Sequence, residues 1–280
     1  MGSWRRTRII TITVVIGASR GIGAGIARAL ATAGASVLIL AGRDTSALST
    51  VAAECQSLNS ACTIDTQICD ISSAESVAAL ATHIKSTHSR LDAVLINSGY
   101  SGPVTTDLGH SSPSIFASVT STNYLGTAYC ASSLLPLLVS SPRPPGAQAA
   151  FIAVGSNASF IVRGPIANTQ YCVSKLAQLK LIEHVHEQYA ARGLFAAAVH
   201  PGAVDSKMAR ETAPEEFKKF LTDDEGLCGA FVSWLLRPRE GEGVRWLGGR
   251  HLCAHWDVGE LLERKGEIVE RDLLKAKLMV

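Results

Sequence analysis

Short, uninterrupted apolar runs alternate along most of the chain with longer stretches in which apolar residues recur at helical spacing. Buried strands are typically continuous apolar runs, whereas helices place apolar residues three and four positions apart. The pattern predicts strands at 9–16, 36–40, 63–68, 93–96, 150–154, 194–199 and 250–255. Because helical stretches separate them, we predict an α/β fold: one doubly wound parallel sheet of about seven strands with helices on both faces.

Helices are predicted at 24–33, 44–58, 72–88, from about 112, at 128–138, 170–192, 225–236 and 258–277. Asp44 and Ser72 stand at helix starts, where side-chain oxygens cap backbone N–H groups, and Glu75 occupies the capping-box position. The polar segment 203–221 follows the sixth strand and is predicted to cover a ligand at the sheet edge. Residues 1–257 are thus predicted to form one domain, with 258–280 as a helical extension of the same domain.

The composition narrows the class of protein. Of the 280 residues, 47% are hydrophobic and 18% are charged, and the net charge of +2 does not favour a nucleic acid as partner. The first apolar run is short and ends at Gly17, so neither a membrane span nor a signal peptide is predicted. Seven cysteines without a C-x-x-C pair favour a reduced, cytoplasmic protein without a metal site.

A glycine-rich turn joins the first predicted strand to the first helix. Its sequence is Gly17-Ala18-Ser19-Arg20-Gly21-Ile22-Gly23. Gly17 lets the chain leave the strand at an unusual φ, and Gly21 and Gly23 let the helix start lie close to a bound group. Backbone N–H groups of the first helical turn favour an anion, so the turn predicts binding of a dinucleotide pyrophosphate rather than an ordinary tight turn.

Tyr171 and Lys175 lie four residues apart on the predicted helix 170–192, so their side chains share a face. A phenol, with a pKa of about 10, is a poor base at neutral pH, but a nearby ammonium favours the phenolate and lowers that pKa. The pair predicts a general acid or base for an alcohol or a carbonyl. The alternative is an exposed tyrosine beside a surface lysine, and the preceding turn and fifth strand favour the catalytic interpretation.

Seven short motifs, in this order, make the chain resemble the short-chain dehydrogenase/reductase family over nearly its whole length. They are the turn 17–23, Cys69-Asp70-Ile71, Asn97-Ser98-Gly99, Asn123-Tyr124-Leu125-Gly126-Thr127, Gly155-Ser156, Tyr171-Cys172-Val173-Ser174-Lys175 and His200-Pro201-Gly202-Ala203-Val204-Asp205-Ser206. The resemblance implies one Rossmann-type domain, a nicotinamide cofactor and a homodimer or homotetramer built on the long helices. The ending after residue 256 also resembles fungal members of secondary metabolism.

The resemblance implies a role for each matched residue. Tyr171 would exchange a proton with the substrate, Lys175 would lower the pKa of Tyr171 and hold the nicotinamide ribose, and Ser156 would hydrogen-bond the substrate oxygen. Asn123 would hold a water that links Lys175 to solvent, and Ser206 would hydrogen-bond the carboxamide. The implied catalytic residues are Asn123, Ser156, Tyr171 and Lys175. The implied cofactor-binding residues are Gly17, Ser19, Arg20, Gly21, Ile22, Gly23, Arg43, Asp70, Ile71, Asn97, Gly99, Tyr171, Lys175, Pro201, Gly202, Val204 and Ser206.

Departures from the family pattern bear on two of these assignments. Ile16 replaces the usual threonine before the turn, and Ser98 replaces an alanine, which leaves the contacts of the loop after the fourth strand open. Ser156 lies farther before Tyr171 than the family's serine does, and Ser159 lies slightly nearer. Ser156 is favoured because it directly follows the strand, and Ser159 is the alternative.

The residues after the second strand favour one cofactor. Arg43 lies where the ribose 2′-position of an adenosine is expected, and a guanidinium suits a 2′-phosphate. Arg20 is placed to join Arg43, with Ser19 as a hydrogen-bond donor. Asp44 lies near the spacing of an acidic NAD ribose ligand but is predicted to cap the next helix. We therefore expect NADP(H) rather than NAD(H).

The leading hypothesis is an NADP(H)-dependent oxidoreductase that interconverts a ketone and a secondary alcohol, with reduction as the cellular direction. Segments 99–109 and 203–221, together with Phe160, Val204, Met208 and Phe217, predict a site for a small hydrophobic carbonyl or alcohol. A nucleotide-binding regulatory protein without redox activity is one alternative. A family enzyme that catalyses dehydration, isomerisation or cyclisation is another. His200 is expected to have a structural role.

Overall fold

Every predicted strand segment contains a strand of one parallel sheet. The computed structural model of the chain describes residues 11–143, 147–239 and 241–278. The strands are β1 (Ile12–Ile16), β2 (Val37–Gly42), β3 (Thr63–Ile68), β4 (Ala93–Ile96), β5 (Ala149–Val154), β6 (Leu194–His200) and β7 (His251–Cys253). They pair in parallel in the order β3-β2-β1-β4-β5-β6-β7. Residues 9 and 10 of the first predicted strand lie outside the described residues.

Helices cover both faces of this sheet, as predicted. They are α1 (Gly21–Thr32), α2 (Thr45–Leu58), α3 (Ala74–His88), α4 (Pro113–Thr120), α5 (Gly126–Ser140), α6 (Thr169–Tyr189), α7 (Lys207–Thr212), α8 (Glu215–Lys218), α9 (Leu227–Leu236), α10 (Val258–Glu263) and α11 (Lys265–Glu270). A π-helical turn, Ser121–Leu125, joins α4 to α5. The segment 203–221, predicted only as polar cover, contains the two short helices α7 and α8.

Two helix caps can be compared with the sequence. Asp44 caps α2, as predicted, because its carboxylate accepts a hydrogen bond from the backbone N–H of Ala47 at 3.0 Å. The predicted cap of α3 is wrong by one residue: Ser73, not Ser72, accepts from the N–H of Ser76 at 3.1 Å. The Ser72 side chain is used elsewhere, because it donates to the carboxylate of Asp70.

The sheet separates two hydrophobic cores. Val15 belongs to the core under α1, α2 and α9, whereas Val14 and Ile16 belong to the core under α3, α5 and α6. All six residues of β5 are buried, so its side chains pack on both faces. Each buried aliphatic side chain stabilises the fold by roughly 1.5–3 kcal/mol. This packing fixes the ends of the central strands, where the loops of the candidate site begin.

Two glycines bring α1 and α9 into close contact. A Cβ on Gly25 would lie 2.1 Å from the carbonyl oxygen of Glu225, and a Cβ on Gly229 would lie 2.6 Å from the Cβ of Ala29. The guanidinium of Arg28 also pairs with the carboxylate of Glu225 at 3.0 Å. The end of the segment that follows β6 is therefore anchored on the helix that starts at the glycine turn.

The C-terminal part differs from the single helix predicted at 258–277. Helices α10 and α11 are short, and the chain then turns back with φ of 47° at Asp272 and 65° at Leu274. Arg250 explains the turn, because its buried guanidinium donates to the carbonyls of Trp246 and Leu273 and pairs with Asp272 at 3.1 Å. The extension is helical only in part, and its last segment is held by polar contacts to the domain.

All seven cysteines are buried and unpaired. Burial raises the pKa of the thiols of Cys55 and Cys253 to about 11 and that of Cys228 to about 12. A thiol of such high pKa is a poor nucleophile, so these cysteines act as small apolar groups. In the described part of the chain, no helix combines the length and the apolar character needed to cross a membrane.

Candidate active site

The strand order changes direction at β1. The chain adds β2 and β3 on one side of β1 and then β4 to β7 on the other. In open parallel sheets such a switch leaves a crevice at the carboxyl ends of the central strands, where ligands bind. The predicted site residues come from segments after the carboxyl ends of β1, β2, β3, β4, β5 and β6 and from α6. The topology therefore gathers them at one edge of the sheet.

The glycine turn after β1 is closed too tightly for side chains. A Cβ on Gly23 would lie 2.0 Å from the carbonyl oxygen of Gly17. Gly17 has a φ of +90°, and a Cβ there would lie 2.6 Å from the backbone nitrogen of Ser98. Helix α1 begins at Gly21 with neither a side-chain cap nor an acidic residue in its first turn. The backbone N–H groups of its first turn, and the space left because the glycines have no side chains, fit a dinucleotide pyrophosphate.

The loop after β4 is tied to the glycine turn. The side-chain amide of Asn97 donates to the carbonyl oxygen of Gly17 at 2.9 Å. This hydrogen bond holds the turn although Ile16 lacks the hydroxyl of the usual threonine. Gly99 is exposed, and a Cβ there would lie 3.8 Å from Nζ of Lys175. Gly99 therefore lies within van der Waals distance of the Lys175 ammonium.

The side chains after β2 and β3 differ in their exposure and in their hydrogen-bond partners. Arg20 and Arg43 are exposed, whereas the carboxylate of Asp44 is engaged as the cap of α2. A hydrogen bond from Ser72 lowers the pKa of Asp70, and the charge of Arg43 lowers it further. The side chain of Ile71, another of the predicted cofactor-binding residues, is buried, whereas those of Arg20 and Arg43 are exposed.

Asn123 lies in the π-helical turn between α4 and α5 and is fully buried. Its Oδ1 accepts from the N–H of Tyr100 at 2.8 Å. Its Nδ2 donates to the carbonyl of Tyr100 at 2.8 Å and to the hydroxyl of Ser174 at 2.9 Å. Single π turns in helices are frequent at functional sites because they redirect one side chain or carbonyl. Here the turn binds the loop after β4 to α6.

Tyr171 is placed on α6 beside the end of β5. Burial raises the pKa of its phenol, and a hydrogen bond with the hydroxyl of Ser156 opposes that rise. The sequence predicted a lowered pKa from Lys175, but Nζ of Lys175 lies 5.9 Å from the ring centroid and is turned toward other oxygens. In this geometry desolvation is the larger effect, so the phenol is held protonated.

Lys175 is a buried cation with neutral partners, only 3% exposed. Its Nζ donates to the carbonyl of Val154 at 2.8 Å and to Oε1 of Gln178 at 3.0 Å. Burial lowers the pKa of this ammonium from 10.5 to about 7. Lysine has three N–H donors, so one is left for another partner beside Tyr171.

The two candidate serines, Ser156 and Ser159, have different surroundings. The Ser156 hydroxyl lies close enough to the phenol of Tyr171 to oppose the rise of the phenol's pKa, and the Ser156 oxygen accepts from the N–H of Ala158 at 3.1 Å. Ser159 is buried one turn later, and its hydroxyl has no hydrogen-bond partner. Nδ1 of His200 accepts from the N–H of Asn157 at 3.4 Å, and burial lowers the pKa of His200 to about 4. A neutral histidine that supports the loop of Ser156 agrees with the structural role expected for it.

The segment after β6 bends sharply into the covering helices. Gly202 has a φ of +99°, and a Cβ there would lie 2.6 Å from the carboxylate of Asp223. Pro201 and Val204 are buried, and Val204 pairs with Asp223 in a parallel bridge. The Ser206 hydroxyl caps α7, accepting from a backbone N–H at 3.1 Å, and still has its own proton to donate.

A sequence profile described as short chain dehydrogenase matches residues 11–216. The chain belongs to the short-chain dehydrogenase family. It is 34% identical over 281 residues to the short chain dehydrogenase pgmD of Aspergillus terreus, covering 95% of this chain and 86% of that one. Among solved structures it is similar to a short chain dehydrogenase from Shigella flexneri complexed with NADP: TM-score 0.77, 25% identity, coverage of 89% and 100%. A 7α-hydroxysteroid dehydrogenase complexed with NADH shares the fold: TM-score 0.77, 21% identity, coverage of 90% and 96%.

Two clusters of polar side chains in this dehydrogenase were not predicted from the sequence. The first is the set of hydrogen bonds around Gln178, which contacts Lys175. A buried glutamine three residues after the lysine, on the same helical face, is the signal that was available. In the second, His83 and His88 of α3 both bond the carboxylate of Asp65 at 2.8 Å. This group lies on the edge strand β3, and its members are too far apart in sequence to be paired without the strand register.

Proposed function

We propose that this dehydrogenase is an NADP(H)-dependent oxidoreductase that interconverts a ketone and a secondary alcohol, with Tyr171 as general acid or base. One observation carries the proposal: the half-buried Tyr171 lies one helical turn before the buried Lys175, whose Nζ is 5.9 Å from the centre of the phenol ring. This group lies at the same sheet edge as the glycine turn. A proton donor beside a site for a hydride donor is what carbonyl reduction needs.

A bound NADPH would supply the hydride, so that a ketone, NADPH and one proton would give a secondary alcohol and NADP⁺. The hydroxyls of Ser156 and Tyr171 would both hydrogen-bond the substrate oxygen. Because burial raises the pKa of Tyr171, its phenol is protonated at neutral pH and gives its proton to that oxygen. The nearby ammonium of Lys175 then stabilises the phenolate. The remaining N–H of Lys175 would bind a ribose hydroxyl of the cofactor.

Arg43 supports NADP(H) as the cofactor. It is exposed at the end of β2, whereas the competing Asp44 is occupied as a helix cap. Arg20 is exposed in the neighbouring turn and would be the second cation for a 2′-phosphate. The NADP complex of the Shigella relative agrees with this choice, and the NADH complex of the hydroxysteroid dehydrogenase makes a direct test necessary.

The substrate would be a small hydrophobic carbonyl or alcohol. Several large apolar side chains on the loops after β4, β5 and β6 are exposed at this edge: Tyr100, Val104, Leu108, Phe160, Val162 and Phe220. Exposed apolar groups grouped around a cleft typically mark a ligand site. A place in fungal secondary metabolism would fit such a substrate and the relative from Aspergillus terreus.

A homodimer or homotetramer would use the helices that carry the site. Leu125 in the π-helical turn and Val173 and Leu176 on α6 are large apolar residues with at least 36% of their surface exposed. A second copy of the chain would remove this surface from water. Light scattering on the purified protein tests this, and a monomer at micromolar concentration would contradict it.

Cofactor-dependent melting followed by a substrate screen tests the function. NADPH present at 100 times its dissociation constant should stabilise the folded protein by about 2.7 kcal/mol. Hydrophobic ketones are then screened for NADPH oxidation, and the amount of alcohol formed should equal the amount of NADPH oxidised.

Tyr171→Phe should lose at least about 10³-fold in kcat and keep the NADPH-induced rise in Tm. Turnover that survives in this variant would contradict the role of Tyr171, and NADPH oxidation without alcohol would contradict the reaction.

Arg43→Ala tests the cofactor choice. Loss of a cation that contacts the 2′-phosphate should weaken NADPH binding about 10-fold or more and leave NADH binding nearly unchanged. Ser46→Ala, an exposed substitution in the first turn of α2, is the control. Equal loss for both cofactors would contradict the assignment.

A further inference from the structure

Gln178 has every polar atom of its side chain engaged in the interior. The residue lies on α6 one turn after Lys175 and is 1% exposed. Its Oε1 accepts from Nζ of Lys175 at 3.0 Å, and its Nε2 donates to Oγ1 of Thr127 at 2.8 Å and to the carbonyl of Asn123 at 3.2 Å. The partners fix the amide orientation, because the reverse would set an NH₂ group against an ammonium.

The residues of the π-helical turn that bond this amide are also hydrogen-bonded to one another and to their neighbours. The hydroxyl of Thr127 donates to the same carbonyl of Asn123 at 2.8 Å, and Thr127 is fully buried. The side chain of Asn123 is engaged by Tyr100 and Ser174. Buried networks in which each group has a partner hold one geometry, because any rearrangement leaves a polar group unpaired.

We propose that Gln178 is a positioning residue of this enzyme, which holds the ammonium of Lys175 at the end of β5 by bridging it to the backbone of Asn123. Its meaning for catalysis rests on the proposed function. The sequence resemblance implied a water between Asn123 and Lys175, and in this chain a side-chain amide joins the two. An amide donates and accepts hydrogen bonds but is a poor proton carrier, so this contact orients Lys175.

The surroundings of Lys175 make the protonation of its ammonium sensitive to the charge of residue 178. From β5 the ammonium meets the carbonyl of Val154, and Gly99 approaches it from the loop after β4. Tyr171, on the same helix, is the titratable side chain that faces it within the described residues. A carboxylate at position 178 would therefore be the first negative charge against this ammonium and would favour its protonated form.

Substitutions at 178 are compared with the same substitutions at Gln170. Gln170 also lies on α6 and is fully buried, but its amide donates to the carbonyl of Pro103 at 2.8 Å. Gln178→Met keeps the volume and removes the acceptor, so kcat should fall about 10- to 100-fold while KM for the ketone changes little. Gln178→Glu should move the alkaline limb of the pH–kcat profile upward by about one pH unit or more. Gln170→Met should leave that limb in place.

The outcomes separate positioning from packing. Equal losses of kcat in Gln178→Met and Gln170→Met, with no movement of the alkaline limb in Gln178→Glu, would overturn the proposal. If Gln178→Met does not fold, Gln178→Glu still tests it, because the shape of the side chain is kept. If the wild-type protein binds NADPH but reduces no ketone, the proposed function fails. The contact between Gln178 and Lys175 is then tested by measuring Tm as a function of pH. Gln178→Glu should then abolish the rise of Tm between pH 7 and 10 that a buried lysine produces, and an unchanged rise would overturn the inference.

Discussion

Two lysine or arginine side chains are buried within residues 11–143, 147–239 and 241–278, and their charges are compensated in different ways. Lys175 is 3% exposed, and Arg250 is 5% exposed. The ammonium of Lys175 meets two neutral oxygens, from Val154 and Gln178. The guanidinium of Arg250 meets backbone carbonyls and also the carboxylate of Asp272 at 3.1 Å. One buried charge is thus left without a counter-charge, and the other is paired.

The pairing changes the titration of each site. Burial lowers the pKa of Lys175 to about 7. At Asp272, burial would raise the pKa, but hydrogen bonds from Lys275 and Lys277, and the charges of Lys275 and Arg250, lower it to about 2. A charge without a partner is costly to fold around and ready to interact with a ligand, whereas a paired charge ties two segments together. The comparison suits a role in chemistry for Lys175 and a role in holding the fold together for Arg250 and Asp272.

The largest expected difference is in activity. Lys175→Met should lower kcat at least about 10³-fold, because the charge that stabilises the phenolate of Tyr171 is lost. The same substitution should leave Tm unchanged or raise it, because a buried cation without a counter-charge is replaced by an apolar side chain of similar length. Steady-state kinetics and thermal unfolding of one preparation measure both. A large fall in Tm would show that Lys175 is a stabilising residue after all.

The reverse pattern is expected at the paired cation. Arg250→Met leaves the carbonyls of Trp246 and Leu273 without their donor and removes one of the three cations that pair with Asp272, so it should reduce the free energy of unfolding by roughly 1–3 kcal/mol. Urea unfolding measures the loss, and kcat of the folded fraction should change less than in Lys175→Met. Arg245→Met, on an exposed arginine in the turn before β7, is the control. A loss below about 1 kcal/mol would contradict the anchoring role of Arg250.

The pH dependence of stability sharpens the comparison on the alkaline side. The folded-state pKa of Lys175, about 7, lies below the value of 10.5 for the free side chain. Between these values the unfolded chain binds the extra proton, so the stability of the wild-type protein should rise with pH. Lys175→Met removes this rise, and its advantage over the wild type should be greatest below pH 7 and fade toward pH 10.5. Parallel pH curves for the two proteins would contradict the buried charge.

The smallest effect is expected on the acid side. The folded-state pKa of Asp272, about 2, lies below its ordinary value of 3.8, so its ion pairs stabilise the fold above pH 3.8 and are lost as the pH falls through 2. Asp272 is partly exposed, with 42% of its side chain accessible, so solvent weakens these pairs. Asp272→Asn should lower Tm by a few degrees at neutral pH and by less near pH 2. An equal loss at both pH values would contradict the assignment.

The fold was predictable because its signals are local. Continuous apolar runs predicted the central strands, and alternation between strands and helical stretches predicted the parallel sheet; the edge strand β3 carries polar residues and is only partly buried. Asp44 was recognised as a cap from the residues that follow it, and that assignment also bears on the cofactor. The tyrosine and lysine of α6 come together because a helix brings residues four apart onto one face.

What escaped prediction depends on contacts between distant segments. The break after α11 follows from the guanidinium of Arg250, which no local pattern reveals. The direction of the pKa shift at Tyr171 depends on the depth of burial and on where Lys175 turns its ammonium, and neither is written in the four-residue spacing. Gln178 acquires its partners only when α6 meets the π-helical turn, and this turn has no recognised sequence signature here.

The seven buried thiols give the molecule a set of internal reporters. Cys55 and Cys228 lie in the core on one face of the sheet, and Cys69 and Cys130 lie in the core on the other. A thiol reagent reaches such a group only while the structure around it is open. A short pulse of reagent followed by peptide mass spectrometry would therefore time the opening of each face separately, in the natural protein and without an introduced label. Repeated with NADPH present, the same measurement would show which face the cofactor holds closed.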